Sequence, residues 1–272
     1  MAATRTPTRI GSTPRRRVKV VDEIVESLRQ DIVSRRLQHG DRLPNETILA
    51  ERFDVSKPTV REAIRALETL GLLEVMHGSG TYVRSQGDYG LASALQTLLQ
   101  LESVSITEVI SVRQALGRYS IELAASNATD KDIETIAQAC ERLENAGNIK
   151  ELDEVLACII DFQRSVSAAS HSPLLQSLEG FLLALLHQLQ VTSLADRGLR
   201  FWIKRALEFQ PHRIAILEGL RSGDPAKAGR AMDKYFKAQR ERLSKDKRLN
   251  SLDLTSPGLI HVVSDMVHQF RS

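Results

Sequence analysis

The first 84 positions of the chain alternate between helical and extended patterns of apolar residues. From Val18 to Leu37, apolar residues recur three and four positions apart, which predicts an amphipathic helix. A shorter helix follows, and a third helix begins after Ser56, a potential N-cap residue with Pro58 in the first turn. Because the apolar stripe of this third helix starts at Val60, we expect it to bury one side.

A hairpin pattern follows the third helix. Extended runs at 72–76 and 81–84 enclose the loop His77-Gly78-Ser79-Gly80, which predicts two antiparallel strands. Three helices and a small hairpin, in this order, are the plan of a winged helix-turn-helix, which places its third helix in the major groove of DNA. A basic stripe recurs every four residues along that helix and consists of Lys57, Arg61 and Arg65. Solvation of an ordinary surface helix is the alternative interpretation of these charges.

The rest of the chain has almost no strand pattern. The spacing of apolar residues predicts helices at about 91–101, 105–126, 130–146, 151–169, 173–195, 199–221 and 225–243. The fold class expected is therefore mainly α, with an N-terminal winged helix-turn-helix and a C-terminal antiparallel all-α bundle. We expect a disordered basic tail (1–17), the winged domain (18–84), a linker (85–90), the helical domain (91–243) and a C-terminal extension (244–272) with one amphipathic piece at 259–270.

The net charge of +3 is distributed unevenly along the chain. Residues 1–84 hold 15 Lys and Arg against 11 Asp and Glu, whereas residues 85–272 hold 22 against 23. A basic front part favours contact with a polyanion such as DNA. The two cysteines, Cys140 and Cys158, form no CxxC motif, and no hydrophobic leader starts the chain. We therefore expect reduced thiols and a cytoplasmic protein.

Several polar residues interrupt the apolar stripes of the helical domain. They are Arg113, Gln163, His212 and Tyr235, each on a different predicted helix. Taken singly, such a residue is usually a satisfied polar group of the core, but four together predict a polar cavity inside the bundle. A buried guanidinium needs an anion, so Arg113 is the expected partner of a carboxylate from the protein or from a ligand. His187 is a further candidate, with core or surface as the alternative.

The segment GDRLPNETILAERFDVSKPTVREAIRALETLGLLEVMHGSGTYV resembles the DNA-binding domain of the GntR family of bacterial transcription regulators. This resemblance implies that Lys57, Thr59 and Arg61 read the operator and that Ser56 lies near phosphate. It also implies that His77 and Gly78, at the tip of the wing, enter the minor groove. Thr47 stands where many members have an arginine that contacts DNA.

The segments EVISVRQALGRYSIELAA, FQRSVSAASHSPLL and PHRIAILEGLRSGDPAKAGRAM are similar to the all-helical effector domain of the FadR-type subgroup. Many relatives bind a divalent metal there through one aspartate and three histidines. The resemblance places those ligands at Ile159, Gln163, His212 and Tyr235, a set that is too poor in metal donors. We therefore expect no metal and no cofactor, and a cavity that binds an organic effector directly.

These observations favour a homodimeric transcription regulator, a repressor, that binds a pseudo-palindromic operator and responds to a small carboxylate or acyl-type effector. The alternative is a DNA-binding dimer whose helical domain serves only dimerisation. An enzyme is not expected, because no nucleophile–base pair, phosphate-cradling loop or metal set is present at usable spacing.

Overall fold

The computed structural model describes residues 15–76, 78–84, 88–102 and 104–250, and the described chain separates into two compact units that divide between Gly90 and Leu91. Residues 1–14 of the predicted tail, residues 85–87 of the predicted linker and the predicted amphipathic piece at 259–270 lie outside the described residues. We call the two units the N-terminal unit and the helical unit and describe each by itself.

The N-terminal unit contains three helices and a two-stranded antiparallel sheet. Its elements are α1 (Arg15–Val33), α2 (Glu46–Phe53), α3 (Lys57–Thr69), β1 (Leu73–Met76) and β2 (Gly80–Val83). The strands pair from Leu73 opposite Val83 to Met76 opposite Gly80. The predicted winged helix-turn-helix is therefore confirmed as a fold.

One aliphatic core holds this unit together. Ile24 and Leu28 of α1, Leu49 of α2, Leu67 of α3 and Leu73 of β1 are almost completely buried in it. Their three- and four-residue spacing on each helix puts them on one face. Each such side chain contributes about 1.5–3 kcal/mol when it leaves water, so this core fixes α3 against α1 and leaves its other side exposed.

The turn between α2 and α3 is set by caps. Asn45 accepts hydrogen bonds from the amides of Thr47 and Ile48, at 3.0 Å each, and so caps α2. Asp54 ends α2 in the left-handed conformation with φ +52°. Ser56 occupies the N-cap position of α3, but its side chain accepts no backbone hydrogen bond, contrary to the expectation. The Ser56 hydroxyl lies 2.8 Å from the Thr59 hydroxyl and bonds with it instead.

The helical unit is an all-α bundle. Its helices are α4 (Asp88–Leu101), α5 (Ile106–Asn127), α6 (Asp130–Glu144), α7 (Leu152–Ala168), α8 (Pro173–Ser193), α9 (Gly198–Glu208), α10 (Gln210–Arg221), α11 (Pro225–Lys245) and α12 (Lys247–Asn250). Helix α5 packs against α7, α8, α10 and α11. The mainly helical fold class is confirmed.

Three predicted boundaries are wrong. The first helix starts at Arg15, inside the predicted tail, because arginine is a good helix former and nothing after Pro14 interrupts it. Residues 88–90 belong to α4 and not to a linker, and aspartate is a favourable first residue of a helix. The single helix predicted at 199–221 is two helices, because Pro211 has no amide hydrogen to continue α9.

None of the described helices is by itself long and apolar enough to cross a membrane. Helix α8 and the segment Ala195–Glu208 meet the criteria of length and composition only as a pair, and they are bent by 60°.

Candidate functional site

The outer side of α3 carries the predicted basic stripe. Lys57, Arg61 and Arg65 are exposed there, four residues apart, and Ser56 is exposed at the start of the helix. Thr59 is different, because only 7% of its surface is accessible and its hydroxyl is bonded to that of Ser56. Four of the predicted α3 residues therefore share an exposed surface, while Thr59 packs inside the turn.

Arg61 is held in place by an ion pair with the first residue of α2. Its Nε atom donates to both carboxylate oxygens of Glu46, at 2.7 and 2.9 Å. The hydrogen bond to Glu46 raises the pKa of Arg61, so the guanidinium is charged at every physiological pH. Because the side chain of Arg61 is more than half exposed, water screens this pair and it holds the guanidinium only weakly.

The wing presents its glycine-rich tip to solvent. Gly78 has φ +78° and open space where a Cβ would lie, and the amide of Ser79 donates to the carbonyl of Met76 at 2.9 Å. The second candidate at this tip, His77, lies outside the described residues. Thr47 is exposed at the start of α2, on the capped turn.

Arg42 is a cation that the sequence patterns did not single out. A Cβ added to Gly80, which has φ +133°, would lie 2.7 Å from Arg42 Nε, so the arginine packs directly on the wing backbone. Arg42 and Glu46 line one side of an open groove of about 650 Å³, and Met76 and Gly78 of the wing line the other. The basic residue before the capped turn was the only indication of this contact in the sequence.

In the helical unit, three of the four predicted cavity residues come together. Arg113 of α5, Gln163 of α7 and Tyr235 of α11 line a cavity of about 50 Å³, and all three also line a neighbouring one of about 20 Å³. Arg113 and Tyr235 are buried, with 7% and 3% of their surfaces exposed. A polar cavity within the bundle is therefore present.

Arg113 lies in this cavity and forms no ion pair with a described carboxylate, although the charge of nearby Glu179 acts on it. Its Nη2 donates to Oε1 of Gln163, and its guanidinium lies 5.1 Å from the centre of the Phe236 ring. Its Nε has no hydrogen-bond partner among the described residues. Burial lowers the pKa of Arg113, which shows how costly the charge is in this position. Such a group can bind an anion strongly.

His212, the fourth predicted residue, does not line either of these two cavities. It is half-buried, and its ring centre lies 6.1 Å from that of Phe209. The next residue, Arg213, lines the larger cavity instead. Phe209 and Ile216 placed His212 on the apolar side of the helix, but its neighbour Arg213 is the residue that is fully buried there.

Arg213 is the most deeply buried arginine of the cavity, with 2% of its surface exposed. Its Nη1 donates to the carbonyl of Ala206 at 2.6 Å and to Oε1 of Gln210 at 3.4 Å. The guanidinium lies 5.7 Å from the centre of the Phe162 ring, and its Nε has no partner in the described part of the chain. Burial lowers the pKa of Arg213 as well.

Arg205 and His187 complete the cavity. Arg205 Nη2 donates to Oε1 of Gln190, and its guanidinium lies 5.3 Å from the Trp202 ring centre. Burial lowers the pKa of Arg205 to about 10. Burial, and then the charge of Arg205, lower the pKa of His187 to about 4, so this imidazole is neutral at pH 7. The sequence analysis missed Arg205, and the only signal for its burial was the apolar stripe of Trp202, Ala206 and Phe209 around it.

These residues do not suit a metal ion. The positions of the four ligands of metal-binding relatives hold Ile159, Gln163, His212 and Tyr235, and only Gln163, Tyr235 and the side chain of Ile159 line the cavity. In the described part of the chain, no three His, Cys, Asp or Glu side chains are grouped as metal ligands. Three guanidinium groups in the same cavity would repel a cation.

Two family profiles match the chain, one in each unit. "Bacterial regulatory proteins, gntR family" matches residues 20–83, and "FCD domain" matches residues 108–238. Together they span most of the chain, and the resemblance inferred from the sequence is confirmed.

Relatives with curated descriptions match along most of their length. The HTH-type transcriptional repressor NanR of Citrobacter rodentium is 29% identical over 229 residues, 82% of this chain and 85% of that protein. NanR of Escherichia coli K12 is 29% identical over 231 residues, 83% and 84% of the two chains. A solved structure, Streptococcus agalactiae GntR, has the same fold, with a TM-score of 0.64 and 24% identity over 82% of this chain and 99% of that one.

The matched families are DNA-binding regulators and not enzymes, as expected from the sequence. The GntR profile covers the unit with the basic stripe, and the FCD profile covers the unit with the cavity. The chain therefore belongs to the GntR family of bacterial regulatory proteins, and its helical unit is an FCD domain.

Proposed function

We propose that this regulator is a repressor that binds a pseudo-palindromic operator as a homodimer and loses affinity for it when a small organic anion binds in the helical unit. The observation that carries the proposal is the presence, in one chain, of an exposed basic stripe on α3 and a buried cavity lined by arginines. Repression is the activity named for NanR, and that similarity supports the same role here. The protein would act in the cytoplasm, where bacterial DNA lies.

On the DNA side, Lys57 and Arg61 read base edges and Arg65 contacts the backbone. Arginine and lysine are the usual partners of guanine in the major groove. Ser56 and Thr47 donate to phosphates beside them, and His77 and Gly78 approach the minor groove. Thr59 supports this surface indirectly, since its buried hydroxyl fixes the start of α3.

Exposed apolar side chains on the helical unit support a homodimer. Val112 and Tyr119 are 48% and 55% exposed and lie seven residues apart on α5, so they share one face. A symmetric dimer buries such a face against its own copy and places two α3 helices on two half-sites.

On the ligand side, Arg113 pairs with an acidic group of the effector, and Gln163 and Tyr235 supply hydrogen bonds. His212 is not part of this proposal, because its ring lies outside the cavity and Arg213 occupies the position expected for it. A ligand can change the affinity for DNA only if it binds the two states of the protein unequally.

Two experiments test the proposal. Selection of bound duplexes from a random pool should yield a two-fold symmetric site. A thermal-shift screen of carboxylates, sugar acids and acyl thioesters should yield at least one compound that stabilises the protein and weakens its binding to that site. If no compound stabilises the protein, the helical domain serves dimerisation alone. If the selection yields no common site, sequence-specific DNA binding is refuted.

A further inference from the structure

We propose that the cavity of the helical unit is built for a compact anion with two negative charges, a phosphate monoester or a dicarboxylate, held jointly by Arg113, Arg205 and Arg213. This inference rests on the proposed function and adds the charge and size of the effector. It goes beyond a single carboxylate on Arg113, because two of the three cations were not expected from the sequence.

The three arginines share one arrangement. Each is at least nine-tenths buried, lies over an aromatic ring and shares a hydrogen bond with the amide oxygen of a glutamine. The sets are Arg113 with Gln163 and Phe236, Arg205 with Gln190 and Trp202, and Arg213 with Gln210 and Phe162. The rings hold the guanidinium planes in place, while the neutral amides leave the charges uncompensated.

No carboxylate shares the larger cavity with these three charges, since no Asp or Glu is among the described residues that line it. The acid that acts on Arg113 is Glu179, a lining residue of the smaller cavity, and its Oε2 accepts the Ser167 hydroxyl at 2.6 Å. Glu208 and Asp246 also act on Arg205, but neither they nor Glu179 line the larger cavity, where three cations favour a ligand with more than one negative charge.

Unused donors point to the same conclusion. The Nε atoms of Arg113 and Arg213 are buried and have no hydrogen-bond partner within the described ranges. An unpaired buried charge destabilises the fold, so a protein rarely keeps such a group without a use for it. The guanidinium fork matches the oxygens of a carboxylate or a phosphate, which supply both charge and acceptors.

The size of the cavity limits the ligand. The larger cavity measures about 50 Å³ and its neighbour about 20 Å³, and the two share Arg113 and Tyr235 in their linings. The space suits an anionic head group with few further atoms. A long acyl chain would require the helices to separate.

The cavity contains its own reporter. Trp202 is the only tryptophan of the chain and lies under the guanidinium of Arg205. Titration of the full-length protein with inorganic phosphate, sulfate, succinate and glycerol 3-phosphate, against acetate and chloride at equal ionic strength, should change Trp202 emission saturably with the dianions only. Any change of emission with acetate should need at least about a tenfold higher concentration than the change with one dianion. Equal responses to acetate, or no saturable response to any dianion at high millimolar concentration, would overturn the proposal.

Arg113→Met separates ligand binding from a structural role. If Arg113 is kept for an anion, the variant should lose the Trp202 response and melt at or above the wild-type temperature in the absence of ligand, since a buried unpaired charge is removed. A lower melting temperature with an unchanged dianion response would show a structural arginine and refute the inference. Arg200→Met, at an exposed position of α9, is the matched control and should leave the response unchanged.

Failure of this inference is distinguishable from failure of the proposed function. A neutral or singly charged compound that binds the cavity and releases operator DNA would refute the dianion while supporting the regulator. Dianions that bind the cavity but leave affinity for the operator unchanged would support the anion site and refute effector control.

Discussion

At the scale of single residues, the ion pair with Glu46 fixes the position of Arg61, the residue that we propose reads a base. The carboxylate holds the guanidinium by its Nε atom, at 2.7 Å, and leaves the side chain more than half exposed. An arginine held in one position loses less conformational entropy when it contacts a base. If Arg61 reads a base as proposed, the pair prepares the guanidinium for that contact without binding it strongly.

Replacing Arg61 by alanine tests its role. Because a well-placed arginine contributes to discrimination between bases, Arg61→Ala should weaken binding to the selected operator by about 1–3 kcal/mol and relax the preference at one base pair. Fluorescence anisotropy with operator and random duplexes measures both effects. Arg35→Ala, at an exposed position after α1, is the control and should have little effect on that preference. Equal losses on the two duplexes for Arg61→Ala would refute base reading.

His187 makes the stability depend on pH. Its pKa is about 4 in the folded protein, against 6.5 without the surrounding structure, because it is buried beside Arg205 and Arg164. Below pH 6.5 the unfolded chain takes up a proton that the folded chain does not, so the free energy of unfolding should fall by about 2 kcal/mol between pH 6.5 and 4. Urea denaturation across this range measures it.

The carboxylates with lowered pKa act mainly at lower pH, although Glu26, whose pKa is lowered from 4.5 to about 2 by its hydrogen bonds with Arg29 and Gln30, overlaps the lower end of this range. Asp132, whose pKa is lowered to about 2 by its hydrogen bonds with Thr129, affects stability below its ordinary pKa of 3.8. His187→Gln should therefore remove most of the loss between pH 6.5 and 4 and retain the loss at lower pH. The same slope in His187→Gln and in the wild-type protein would exclude His187 as its source.

At the scale of elements, α10 and α11 approach each other closely at Gly219. A Cβ there would lie 2.8 Å from the Cα of Ala228 and 3.1 Å from its amide nitrogen. These are backbone atoms at the start of α11, which cannot rotate away as a side chain can. The contact fixes α10, and with it Arg213, against the helix that carries Tyr235.

Gly219→Ala should therefore lower the free energy of unfolding by about 1–3 kcal/mol, as overpacking in a core does. Gly180→Ala is the matched control on α8, since its Cβ would meet nothing within 4 Å. That substitution should stabilise the protein by about 0.5–1 kcal/mol through helix propensity. Urea denaturation followed by circular dichroism compares them, and equal effects of the two substitutions would contradict the close packing of α10 and α11.

The sequence was most informative where a pattern is local. Apolar periodicity predicted the three helices of the N-terminal unit, and the glycines of the wing predicted a hairpin that the structure contains. It was least informative for neighbouring side chains at the edge of a buried helix face. On α10, Arg213 and not His212 lines the cavity, although the apolar spacing favoured His212. Thr59 likewise looked available on α3 and is buried, since the packing of the turn and not helix periodicity decides its exposure.

The cavity illustrates a second limit of prediction from the sequence, which is the meeting of distant segments. Arg113, Gln163 and Tyr235 stood out because each interrupts an apolar stripe, and the structure brings all three to one cavity. Arg205 lies on a short helix with charged residues on its other side, so it resembled a surface residue. Only the assembly of six helices shows that three arginines meet at one place, because tertiary packing of distant segments determines it.

At the scale of the whole molecule, the two units use their positive charges differently. The basic excess lies in residues 1–84, where 15 cations face 11 acids, and the remaining 188 residues are nearly neutral. Cations on the DNA-binding unit raise affinity for any duplex and make it sensitive to salt. The three cavity arginines of the helical unit are buried, and salt screens them much less.

Effector control requires that the ligand bind the DNA-free state more tightly than the DNA-bound state. Coupling of this kind amounts to about 1–3 kcal/mol, or about 5–150-fold in affinity. The buried arginines offer a physical source, because an anion removes an electrostatic penalty that the unliganded helical unit carries. If binding of the anion rearranges α5, α9 and α10, that rearrangement should be absent in a protein that lacks Arg113.

The most direct test is therefore the affinity of the full-length protein for its selected operator, measured by fluorescence anisotropy. The wild type and Arg113→Met are each measured with and without the compound that stabilises the wild type most in the thermal-shift screen. We expect the compound to weaken wild-type binding by about 5–150-fold and to leave the variant unaffected. Unchanged affinity of the wild type at saturating compound, or an equal change in the variant, would contradict the account.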